Sequence, residues 1–102
     1  MWWEIEDHLE VVDNRLHMGG LDTNDLAKKH GTPLYIYNLD RIETKFKELN
    51  DLFDEYSDRP YRIHFAVKAN PHPAVLQVLE RNGAFLDTVS PGEVEIGIVS
   101  GR

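Results

Sequence analysis

The sequence predicts an α/β fold built on parallel strands, and three observations predict it. From residue 61 onward, short apolar runs alternate with helical patterns across short connections. That order favours parallel strands joined by right-handed crossovers. The apolar run Tyr61–Lys68 is broken at Asn70-Pro71, since the residue before a proline is pushed out of the α region. Ser90-Pro91-Gly92-Glu93 puts an N-cap hydroxyl, a proline at N1 and a glutamate at N3 ahead of an apolar stretch, which marks a helix start.

The chain has 102 residues, 41% hydrophobic and 28% charged, the balance of one small globular domain. No apolar run is long enough to cross a bilayer, so no membrane partner is expected. The opening MWWEIEDHLEVVD lacks the basic and then apolar regions of a secretory signal, which predicts a cytoplasmic protein. A net charge of −7 without a basic cluster argues against nucleic acid. There are no cysteines, and the five histidines lack metal-ligand spacing, so no metal site is expected.

Taken in order, residues 1–14 give no clear pattern, and Trp2 and Trp3 read as groups that pack on another part of the protein. Arg15–Met18 reads as a short strand closed by Gly19-Gly20. Asp22 or Thr23 caps a helix to about His30, with Gly31 as its stop. Leu34–Tyr37 reads as a strand. Leu39, Ile42, Phe46, Leu49 and Phe53 recur at spacings of three and four, which predicts a helix ending near Tyr56, with Glu43 and Lys47 paired on its outside. Tyr61–Lys68 reads as a strand, Pro73 to about Asn82 as a helix stopped by Gly83, and Phe85–Val89 as a strand. Two β/α units of this kind neither close a barrel nor complete a sheet. The pattern therefore predicts the N-terminal part of a longer protein.

Strand alternation puts Tyr61, Ile63, Phe65 and Val67 on one face and Arg62, His64, Ala66 and Lys68 on the other. Lys68 then ends the strand, with the small Ala66 below it. On pattern alone such a lysine is most often solvated. Arg62 and His64 read as polar contacts rather than catalytic groups. Asn70 turns the chain, and Ala69 lets the backbone pass close to a neighbour. Capping accounts for Ser90 and Glu93.

Three motifs change the reading of the lysine. Phe65-Ala66-Val67-Lys68-Ala69-Asn70 resembles the Y-A-V-K-A-N cofactor-lysine motif of the fold type III pyridoxal-phosphate (PLP) decarboxylases, with Phe65 for the common tyrosine. Gly83–Glu93 resembles that family's G-x-G-x-D-x-x-S-x-G-E, with Phe85 where a glycine is common. Gly31-Thr32-Pro33-Leu34-Tyr35-Ile36-Tyr37 resembles the opening of the diaminopimelate decarboxylase branch. The resemblance covers about residues 15–102.

The resemblance implies the N-terminal part of an alanine-racemase-like TIM (β/α)8 barrel. Residues 1–33 would pack on a C-terminal β domain and enter the barrel, and residues 34–102 would form its first β/α units. It also implies PLP held by Lys68, a group suited to this because its amine gives up its charge readily when desolvated. Ala66, Asp87 and Glu93 would be further cofactor-site residues. The implied activity is that of a carboxy-lyase acting on an amino acid, most simply meso-2,6-diaminopimelate to L-lysine, in a homodimer. Ornithine, arginine or carboxynorspermidine decarboxylation, a non-catalytic PLP-binding homologue and a regulatory protein that has lost the site remain alternatives. The family's phosphate loop, pyridine-nitrogen glutamate and stacking histidine have no counterpart in these residues. The chain by itself is therefore expected to be inactive.

Overall fold

The computed structural model describes residues 1–101. The chain divides into two compact units, Met1–Asp40 and a second from Arg41 onward.

The first unit is a three-stranded antiparallel sheet with one helix. Its strands are β1 (Leu9–Val12), β2 (Arg15–Met18) and β3 (Leu21–Asp22), in the order β1-β2-β3. β1 pairs Leu9 with Met18 and Val12 with Arg15, so only Asp13-Asn14 connect it to β2. Both have positive φ, 51° and 62°, as a two-residue turn matching strand twist requires. Gly19-Gly20 (φ 58° and 82°) repeat the device between β2 and β3.

Helix α1 (Thr23–His30) starts from Asp22, which serves two elements at once. Its Oδ1 accepts from the Asn24 N–H at 2.8 Å, and its Oδ2 accepts from Arg15 Nη1 at 2.8 Å. The Arg15 hydrogen bond holds the Asp22 carboxyl below its ordinary pKa. Gly31 ends the helix at φ 83°, and its N–H reaches the Ala27 carbonyl at 2.8 Å. The strand expected at Leu34–Tyr37 is absent among the described residues. Apolar composition makes a strand only where a partner supplies the ladder, and no strand among the described residues pairs with this segment.

The second unit has the expected β/α order. Helix α2 (Leu39–Tyr56) buries Phe46, and Lys47 Nζ donates to Glu43 Oε1 at 3.0 Å. Strand β4 covers only His64–Ala66, and Val67–Ala69 form one 3₁₀ turn. The expected strand Tyr61–Lys68 is thus trimmed at both ends, and Lys68 sits in a turn rather than in a strand. The alternation still holds in burial: Tyr61, Ile63 and Phe65 are half-buried and Val67 fully buried, while Arg62, His64 and Lys68 are exposed.

Helix α3 (Pro73–Arg81) supplies most of the core, burying Val75, Leu76, Val78 and Leu79. His72 is its N-cap, accepting from the Ala74 N–H at 3.1 Å, and Pro73 opens it. Asn82 is its C-cap, and Gly83 follows at φ 98°. Strand β5 covers Phe85–Asp87, two residues shorter than expected, and runs parallel to β4. Among the described residues each of these strands pairs on one side only.

Helix α4 (Pro91–Ser100) packs close to β5. A Cβ on Gly97 would come within 2.8 Å of Leu86 Cδ1, so glycine permits this approach. Glu43 joins α2 to the end of α3, accepting from Asn82 Nδ2 at 3.2 Å and Arg81 Nη2 at 3.4 Å. Its hydrogen bonds from Lys47 and Asn82 push its carboxyl down to about 2.

Candidate functional site

The site is the C-terminal edge of the β4–β5 pair. The register places His64 beside Phe85, Phe65 beside Leu86 and Ala66 beside Asp87. Ala66 and Asp87 therefore share a face as well as a level, and that level is where both strands end. Lys68 follows in the turn that leaves the edge.

The turn is held from both sides. Val67, immediately before Lys68, is fully buried. Beyond Lys68, the Asn70 N–H donates to the Val67 carbonyl at 3.1 Å, closing the turn. Asn70 is extended (φ −160°, ψ 101°), as a residue preceding proline must be, and its Oδ1 accepts from the His72 N–H at 3.0 Å. The backbone around the lysine is fixed while its side chain is exposed. Among the described residues Lys68 has no hydrogen-bond or ion-pair partner.

The other site residues expected from the sequence fall into two groups. Ala66 and Asp87 are neighbours at the strand ends, and Asp87 is exposed. No ion pair joins it to Lys68 among the described residues. Glu93 is engaged at the start of α4. Its Oε2 lies 3.3 Å from Ser90 Oγ, its Oε1 accepts from the Val89 N–H at 3.4 Å, and its own N–H donates to Ser90 Oγ at 3.1 Å. This is a reciprocal cap, displaced by one residue because the carboxylate reaches the Val89 amide rather than the Ser90 amide.

In the sequence Phe85 stands out only as a residue where a glycine is common. Its ring stacks on His64 with centroids 5.3 Å apart at 27°, and the Arg62 guanidinium lies 5.0 Å from its centroid. The signal was present in the pairing of two strands whose alternating residues, Arg62-His64 and Phe85, must meet on one face.

An open, mainly apolar hollow of about 530 Å³ lies on α2, β4 and α3, lined by Phe46, Phe65 and Leu79 among others. Ala69 and Asn70 reach it, and Lys68 does not line it.

Lys68 thus presents an exposed amine, without a partner among the described residues, in the turn just past the end of two parallel strands. Comparison with known proteins bears on what that amine serves. Residues 39–101 match the family described as pyridoxal-dependent decarboxylase, pyridoxal binding domain. The chain is 39% identical over 95 residues to the diaminopimelate decarboxylase of Methanothermobacter thermautotrophicus, covering 91% of this chain and 22% of that protein. It is similar to the crystal structure of diaminopimelate decarboxylase from Methanocaldococcus jannaschii, with a TM-score of 0.86 at 31% identity, over 93% of this chain and 23% of that one. A structure of the same enzyme in complex with L-lysine gives a TM-score of 0.80 at 32% identity, again over 93% and 23%. The chain thus spans less than a quarter of the length of these relatives. Its fold is α/β, part of an alanine-racemase-like TIM barrel, and its cofactor chemistry is that of PLP. With the motif lysine, the parallel strand pair and the match from residue 39 to 101 in agreement, the chain belongs to the pyridoxal-dependent decarboxylase family, within its pyridoxal binding domain.

Proposed function

We propose that this chain is the lysine-bearing part of a PLP-dependent carboxy-lyase that converts meso-2,6-diaminopimelate to L-lysine. The observation that carries the reading is Lys68, exposed and without a partner among the described residues in the turn that follows β4, whose last residue Ala66 is paired with Asp87. The relatives named above carry the choice of substrate. When bound, PLP supplies an aldehyde for the amine and an electron-withdrawing ring that accepts the electron pair left by a departing carboxylate.

The chain's own residues do the rest of what can be assigned to it. Lys68 Nζ would hold the cofactor through its amine and, when free, would serve as the group that moves a proton at the substrate's α-carbon. Ala66 leaves room beside it. The Asp87 carboxylate ends the neighbouring strand level with Ala66, where it helps to position the amine. Glu93 serves the site indirectly, by fixing the start of α4. Residues 1–33 pack on a β domain and residues 34–102 form the first β/α units of the barrel, in a cytoplasmic homodimer.

The test is to incubate the protein with PLP, reduce with borohydride, digest and map the modified lysine. The expected result is one modified peptide, containing Lys68, which disappears in Lys68→Ala together with CO2 release from meso-diaminopimelate in the full-length protein. Labelling spread over the surface lysines, and unchanged in Lys68→Ala, would sink the reading.

A further inference from the structure

We propose that Asn82-Gly83 is a deamidation site that the folded protein holds closed through the Glu43 carboxylate. The inference stands apart from the cofactor reading above.

Asn82 is the one asparagine in the sequence that is followed by glycine. Glycine has no side chain to shield its backbone nitrogen, so this pair is the one most open to attack of that nitrogen on the amide. The chemistry needs only water. The Gly83 nitrogen loses its proton and bonds to Asn82 Cγ. The Cγ–Nδ2 bond breaks, and the amide nitrogen takes up a proton and leaves as ammonia. Water then opens the cyclic imide at one of its two carbonyls, leaving aspartate or isoaspartate at position 82.

Both reacting groups are clamped in the fold. The Gly83 N–H donates to the Glu80 carbonyl and the Ala84 N–H to the Leu79 carbonyl, each at 3.0 Å, with Gly83 at φ 98°. These are the paired bonds that close a helix on a left-handed glycine. The Asn82 amide is held from two directions. Its Nδ2 donates to the Val78 carbonyl at 2.8 Å and to Glu43 Oε2 at 3.2 Å. The first bond lies within α3 and opens whenever the last turn frays. The second reaches across to α2 and holds the amide from outside the helix. Glu43 is itself steadied there by Lys47 and Arg81.

The product works against the clamp. A carboxylate at position 82 meets the Glu43 carboxylate where an amide donor stood, so like charges face each other. Isoaspartate also adds a carbon to the main chain just ahead of β5, whose first residue, Phe85, donates to the Ile63 carbonyl at 2.9 Å.

The experiment incubates the full-length protein at mildly alkaline pH and follows the peptide containing Asn82 by mass spectrometry. The parent is compared with Glu43→Ala and Ser90→Ala, and the thermal midpoint of each is recorded. A synthetic peptide of residues 77–88, too short to hold its helix, gives the unguarded rate. The parent should react far more slowly than the peptide. Glu43→Ala is expected to speed the reaction about tenfold, the scale of one hydrogen bond to a charged group. Ser90→Ala lowers stability without touching Asn82 or Glu43, and should react at the parent rate. Where Glu43→Ala fails to fold, Glu43→Gln decides, since it loses the charge but keeps an acceptor oxygen: a rate above the parent's supports the proposal and the parent rate overturns it. A parent as fast as the peptide, a folded Glu43→Ala at the parent rate, or a Ser90→Ala as fast as Glu43→Ala would each overturn it, the last because global unfolding rather than Glu43 would then set the rate.

Discussion

Replacing Val67 with alanine tests whether the turn carrying Lys68 is anchored by burial. Val67 is fully inaccessible, the residue before the lysine, and shares its core with Leu76, Val75 and Val78. The change removes the two side-chain methyl carbons, about 1.6 kcal/mol of transfer energy at ~0.8 kcal/mol per buried carbon. The cavity left behind adds to this because the helix packed above relaxes only in part, bringing the total to about 2.5 kcal/mol. Urea denaturation at pH 7, followed by far-UV circular dichroism, would read this as a lower midpoint at unchanged slope. Val89→Ala is the control: that side chain is 69% exposed, and its loss should cost about 0.5 kcal/mol or less. A Val67→Ala cost as small as that of the control would refute the anchoring argument. The lysine turn would then be held by its hydrogen bonds alone.

Two further outcomes follow from the capping and the charge pairs. Ser90→Ala removes the hydroxyl that accepts from the Glu93 N–H, and should cost about 1 kcal/mol in the same denaturation assay, with Ser90→Asp restoring most of it. Glu43 has its pKa lowered to about 2 by Lys47 and Asn82, below the 4.5 of an unperturbed group, so its contribution is complete above pH 4.5 and fades as pH falls toward 2. Glu43→Gln should therefore lower the midpoint at neutral pH and show a weaker acid dependence than the parent; parallel pH profiles for the two would count against the assignment.

Much of this molecule was legible because it is local. The α2 periodicity, the Ser90–Glu93 cap and the Asn70-Pro71 break each depend on residues within a turn or two of one another. The lysine was legible for another reason: its motif resembles a family's, and composition alone would have left it a solvated side chain. Pairing is where sequence reasoning failed. Leu34–Tyr37 has the right residues for a strand but no ladder among the described residues. β1 was missed although Asp13-Asn14 is a strong two-residue turn, because Leu9–Val12 lacks clean alternation. Tyr61–Lys68 was read as one strand because an apolar Val67 suits a buried turn as well as it suits a strand. Phe85, a departure from the motif, came to mean something only once the register set it against His64.

The β4–β5 pair has a consequence for how this polypeptide behaves in the test tube. Each strand offers an outer row of amides and carbonyls with no partner among the described residues, three residues long on either side. Such edges recruit whatever extended chain is nearest, and in concentrated solution the nearest is another copy. Association should therefore rise with protein concentration and spare dilute samples. A dilution series by light scattering belongs ahead of any titration, since a binding curve measured on a self-pairing sample would report the edges as much as the lysine.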